Sequence, residues 1–82
     1  MDITRVTEVT NEVVDTAKDM FEYHPWDDQQ NLHGALIRKA LQDAFLVILV
    51  NAPPCPDRSA ALRKLREARM DCNSAITHSG KY

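Results

Sequence analysis

Apolar positions recur every three or four residues in three stretches of this chain, and prolines separate the stretches. In the first, about Asp2 to Glu22, Val6, Val9, Val13, Ala17 and Met20 keep helical spacing, while Asn11, Glu12, Asp15 and Lys18 flank them. That period predicts an amphipathic helix. Its start is rich in Thr and Val, whose branched side chains lose rotamer freedom in helices, so a strand over residues 3–9 stays open. The second stretch, about Asp28 to Asn51, puts Leu36, Ile37, Ala40, Leu41, Ala44, Val47 and Ile48 on one face. Arg38, Lys39, Gln42 and Asp43 mark the other, and from Phe45 to Val50 apolar side chains surround the whole axis. The periodic approach from Leu36 favours one continuous helix over a buried strand. The third, about Pro56 to His78, carries a stripe of Ala61, Leu65, Ala68, Cys72 and Ala75, bordered by Leu62 and Ile76. Small residues let two helices approach closely, as an antiparallel hairpin requires.

The breaks carry their own signals. Pro25 disfavours helical geometry at His24 and removes a donor, and Asp27 or Asp28 can then cap the second helix, with Gln30 in its first turns. Pro53 and Pro54 end that helix, Pro56 suits the first position of the next, and Asp57 meets its dipole. The expected architecture is therefore all-α: an N-terminal helical segment (residues 1–20), an antiparallel helical hairpin (21–78) and a flexible tail (79–82). Phe21 is expected in the core.

Such a hairpin does not suit a monomer. Two helices bury one face each, yet the second is apolar all round at its C-terminal half. Leaving two or three large apolar side chains wet forfeits several kcal/mol at ~25 cal/mol per Å², comparable to the stability of a small domain. Burial against another copy removes the cost, so a homo-oligomer is expected.

Composition narrows the setting. With 82 residues, 44% of them hydrophobic and 27% charged, the chain makes one globular domain. Cys55 and Cys72, without a CxxC pattern, suit a reduced cytosolic protein rather than a disulfide framework. No apolar leader follows Met1, and the run Ala44 to Val50 is too short to span a bilayer, so a soluble cytoplasmic protein with no membrane partner is expected. Net charge is −2, but residues 1–37 hold eight acids and two bases while residues 38–82 hold four acids and eight bases. An acidic front and basic back suit two structures touching, an anion site on the back half, or simply solvated faces.

The segment Phe21 to Gln30 gathers three of the five aromatic residues and one histidine around Pro25. Tyr23-His24-Pro25, Ile37-Arg38, the break at Pro53-Pro54, Ser59, Ala61 and Leu65, then Ala68, Met70, Asn73, Ala75 and Ile76 follow in order over roughly residues 20–78. That series resembles the helical hairpin domain of phage anti-CBASS and anti-Thoeris sponge proteins. Many relatives carry an aromatic residue after the methionine, where this chain has Asp71. The resemblance implies a non-enzymatic protein in an infected bacterial cell that holds cyclic nucleotide signals without cutting them. It also implies symmetric oligomers, commonly hexamers built as trimers of dimers, with ligands between protomers.

Candidate residues follow. Tyr23, His24 and Trp26 are candidates to stack on purines, at ~1–3 kcal/mol per base; the plainer alternative is that they plug the hairpin end. Arg38, Arg58, Arg66 and Arg69 are candidates for phosphate contacts through guanidinium forks, with Arg58 also near a helix N-terminus. The alternative is a solvated basic face or ion pairs with the acidic front. Arg63 projects to the far side. Ser59 is a candidate phosphate donor, although first-turn serines often bond their own backbone, and Asn73 is a candidate to read a base edge or to join helices. Zinc spacing, catalytic motifs and phosphate loops do not occur, so no metal, cofactor or catalytic residue is expected. The expected partners are a cyclic oligonucleotide and further copies of the chain, not a DNA or RNA polymer.

Overall fold

A computed structural model describes residues 7–82. Residues 7–10 lead without helix or strand into α1 (Asn11–Phe21), then α2 (Asp28–Asn51) and α3 (Pro56–Thr77) follow. The first helix is thus shorter than its apolar spacing predicts. Thr10 stops it from extending backwards: its backbone is extended and its hydroxyl accepts from the Val13 N–H at 3.2 Å, which makes it the cap. Of the residues 3–9 left open as a strand, 7–9 are not a strand and 3–6 lie outside the described residues.

Each boundary of the hairpin has a local cause. Asp27 and Gln30 form a reciprocal capping box, the carboxylate accepting from the Gln30 N–H at 2.8 Å and the amide oxygen from the Asp27 N–H at 3.0 Å. Ala52 leaves α2 in extended geometry ahead of Pro53, and Pro56 opens α3 with Asp57 in its first turn. At the far end of α3, Ser79 and Gly80 adopt φ of 52° and 76°, and the Gly80 N–H returns to the Ala75 carbonyl at 3.0 Å. This is the left-handed termination that satisfies the last carbonyls of a helix.

Only α2 and α3 pack against each other among the described helices. The buried edge of α2 runs through Gly34, Ile37, Leu41, Ala44, Phe45 and Ile48, and that of α3 through Ala61, Leu62, Leu65, Ala68, Cys72 and Ile76, all half-buried except the buried Gly34. No apolar side chain among the described residues is fully buried. A two-helix layer shields one face and leaves the other to be covered. The Cα radius of gyration is 18.1 Å with extents of 51 × 39 × 17 Å, whereas a compact chain of this length has about 12 Å.

One expectation fails here. Phe21 is not core: it is 88% exposed, because α1 ends there and stands off the hairpin with no surface beneath it. The tail makes contacts of its own. Lys81 Nζ and the Tyr82 hydroxyl both donate to Asp19 Oδ2, at 3.1 and 2.7 Å, and His24 Nε2 donates to the Asp19 carbonyl at 2.6 Å. The rings of His24, His78 and Tyr82 meet edge to face around this point, with centroids 5.3 and 5.0 Å apart. Asp19 thereby clasps the C-terminus to the end of α1.

Candidate ligand groove

The candidate residues separate into three places along the hairpin. Tyr23, His24 and Trp26 stand at the end where α2 begins and α3 finishes. Arg58 and Ser59 stand at the other end, about 28 Å away along α3 at 1.5 Å per residue. Arg38, Arg66 and Arg69 converge between them, on the walls of a groove of about 330 Å³.

At the first end, the rings serve the fold. Trp26 Nε1 donates to Thr77 Oγ1 at 2.7 Å, and its six-membered ring covers Gly34 so closely that a β-carbon there would overlap it. This explains a glycine inside a helix, where it otherwise costs ~1 kcal/mol against alanine. Gln30 adds a bond from Nε2 to the Ile76 carbonyl at 3.0 Å, so the start of α2 and the end of α3 are laced together. His24 is held by Asp19, through its carbonyl and through a 3.7 Å approach to the carboxylate. Tyr23 alone of the three faces water, at 88% exposure.

At the opposite end, Arg58 turns back toward the end of α2. Its Nη1 donates to the carbonyls of Leu49 and Ala52 at 3.2 and 3.3 Å, which are among the last of α2. A cation is favoured there by the helix dipole, so the guanidinium caps the preceding helix. Ser59 is exposed one position further on, and Cys55 beside the turn is an exposed free thiol.

The groove is built differently. It is lined by apolar Leu41, Phe45, Leu46 and Leu65 and by polar Arg38, Gln42, Arg66 and Arg69. No acid lines the groove, and no ion pair or hydrogen bond among the described residues ties down the three arginines. Apolar walls with a few convergent polar groups are the usual make-up of a small-molecule site, and this volume sits at the small end of the range. Asn73, half-buried, lies one turn beyond Arg69 on α3. The arrangement offers bidentate donors to phosphate oxygens and one flat ring, Phe45, to a base.

Sequence reasoning misses Phe45, Gln42 and Leu41 as site residues. Phe45 reads as one of six consecutive apolar positions, and only the path of α3 distinguishes the side that lines a groove. A second hollow lies on α1, made by Glu12, Val13, Thr16, Ala17 and Met20. Among the described residues, no three of His, Cys, Asp and Glu gather as metal ligands, and no helix is long and apolar enough to cross a membrane.

Compared with family models, curated proteins and solved structures, the chain has no significant match.

Proposed function

We propose that this protein is an anti-defence sponge: a homo-oligomeric helical hairpin that binds a cyclic oligonucleotide second messenger and keeps it from an immune effector in an infected bacterial cell. Supporting this, above all, are three arginines that line one groove together with apolar side chains and no acid. A cyclic di- or trinucleotide, or a cyclic ADP-ribose-type signal, carries phosphates for the arginines and a flat base for Phe45. Arg38, Arg66 and Arg69 are the phosphate-binding residues of this reading, with Asn73 beside them. Trp26, His24 and Arg58 support the scaffold instead.

The mechanism is mass action and involves no bond cleavage. Each bound messenger is withdrawn from solution, so the free concentration falls below that which activates the effector once sites exceed signal and Kd lies well under the working concentration. Oligomer formation supplies the missing cover for the hairpin's exposed apolar side chains, including Leu36 at 62% and Val50 at 80% exposure.

Titration calorimetry against cyclic di- and trinucleotides and cyclic ADP-ribose isomers tests the reading. Saturable heat with at least one of them, abolished in a variant lacking the three arginines, is expected. Denaturing the complex should return the messenger intact. No heat with any of the panel overturns the proposal. The extended shape and exposed apolar positions of α1 favour one second reading, a protein-interaction module docking on another protein, for which the whole panel stays silent.

A further inference from the structure

The outer side of α2 carries a seam that the hairpin packing does not explain and that meets the groove only at Leu46. Leu32, Leu36, Lys39, Asp43, Leu46 and Val50 follow one another at spacings of four, three, four, three and four. That alternation is the heptad pattern by which two helices pack side by side. All six are exposed: the four apolar members by 53, 62, 50 and 80% in chain order, and the Lys39 and Asp43 side chains by 69 and 54%.

The order is also its own mirror image. The pairs Leu32 and Val50, Leu36 and Leu46, and Lys39 and Asp43 are each symmetric about Leu41. A twofold contact is isologous, so if position i meets position j, then j meets i. When two such helices run antiparallel about a midpoint at Leu41, apolar side chains meet apolar side chains at both ends. Lys39 of each copy then meets Asp43 of the other. Any parallel pairing in the same register sets Lys39 against Lys39 and Asp43 against Asp43. Within one chain the two already pair at 2.7 Å, so the twofold contact makes a ring of four alternating charges.

We propose that two copies of this protein pair antiparallel through α2 along Leu32, Leu36, Lys39, Asp43, Leu46 and Val50, with Leu41 at the level of the twofold axis. The assignment rests on the homo-oligomeric part of the functional reading but not on the ligand. It identifies the first interface of the assembly. Leu46 belongs to both the seam and the groove, so the second copy's helix stands beside the groove wall. The twofold axis keeps Gln42 of both copies on one side, so both grooves open on the same face of the dimer.

Charge-reversal variants, studied by analytical ultracentrifugation without nucleotide, test this. Asp43→Lys places four positive charges at the crossing and Lys39→Asp four negative ones. Each variant alone should sediment as a species half the size of the wild type or smaller, with association weakened at least tenfold. Mixing the two should restore the larger species, because a chain with lysine at both positions then faces a chain with aspartate at both. The double variant Lys39→Asp/Asp43→Lys should associate like the wild type. Recovery on mixing also shows that both singles are folded, and a role confined to the intrachain pair does not produce it. Single variants that sediment as the wild type, a mixture that stays dissociated, or a wild type that is monomeric overturns the assignment. None of these readouts depends on nucleotide binding, so a silent ligand panel leaves the seam standing.

Discussion

At the open end of the hairpin, where α2 begins and α3 finishes, the polar groups of Trp26 and His24 have partners within the chain. Trp26 is bonded to Thr77, His24 to Asp19, and Gln30 to both Asp27 and Ile76. In the groove a few turns along, three arginines share the lining with apolar side chains and nothing acidic. Aromatic and basic residues both serve nucleotide binding in principle. The difference teaches that a residue's suitability for a ligand is decided by what else satisfies it. A ring that already covers Gly34 and a hydroxyl partner 2.7 Å away leave Trp26 little to offer, whereas uncommitted arginines gain much from an anion.

The largest test of that contrast is Trp26→Ala. It removes the ring over Gly34 and strips Thr77 of its donor, so stability should fall by about 3 kcal/mol, the lower part of the range for truncated tryptophans. Urea unfolding followed by circular dichroism reads this as a lowered midpoint. At temperatures where the variant stays folded, its nucleotide affinity should be within threefold of the wild type. An affinity loss of a hundredfold with unchanged stability would return Trp26 to the binding site.

Arg66→Glu probes the other side. It replaces a donor with a like charge for the phosphate, and losing a charge-assisted contact is worth ~1.5–3 kcal/mol, or about ten- to a hundredfold in Kd. Its stability should stay within about 0.5 kcal/mol of the wild type, since the position is exposed. Arg58→Ala should behave in the opposite way, losing the cap on α2 with little change in affinity. If Arg58→Ala abolishes binding while Arg66→Glu does not, the groove is the wrong place.

A smaller effect separates helix propensity from packing. On propensity alone, Gly34→Ala should stabilise α2 by ~1 kcal/mol. The new β-carbon would meet the Trp26 ring, so the ring must move and the net effect should be a loss of about 1 kcal/mol. Restoration of stability in Gly34→Ala combined with Trp26→Leu, measured by the same unfolding curves, would assign the cost to that single contact.

Helix number, breaks and caps were legible because their causes are local. Asp27, Gln30, Pro53 and Pro56 act within a turn of the boundaries they set, and the stripe from Ala61 to Cys72 names its own packing face, although Ala75, which continued it, is exposed. The groove was half legible. Projection around α3 set Arg66 and Arg69 near the partner helix, and both line the groove with Arg38, but the same projection offered Arg58 equally. Its use as a cap depends on the turn bringing α2's last carbonyls back beside it, which periodicity does not encode. A plug of the hairpin end by Trp26 was one of the readings left open, but its partner and the role of Asp19 were hidden for a related reason. Their partners Thr77, Lys81 and Tyr82 lie more than fifty positions away, and no local pattern links them.

The weakest link joins α1 to the rest, and pH should open it from both sides. Hydrogen bonds from Tyr82 and Lys81 hold the Asp19 carboxyl below its ordinary value of 3.8. The same carboxylate raises Lys81 above 10.5 and Tyr82 above 10.0. A lowered acid contributes stability above its unfolded value and loses it as pH falls through the folded one. Raised Lys81 and Tyr82 contribute below their unfolded values and lose it as pH rises through the folded ones. The clasp should therefore be closed from about pH 4 to about pH 10 and loosen outside that window. All three groups are solvated and the clasp holds only the arm, so global unfolding should hardly register the change. Paired fluorophores on α1 and on the α2–α3 turn should report it as a widening distance distribution below about pH 4, with helicity retained. Asp19→Asn should show the widened distribution already at neutral pH. An arm that keeps its distance in that variant would mean that His24 and the edge-to-face rings hold α1 without the carboxylate.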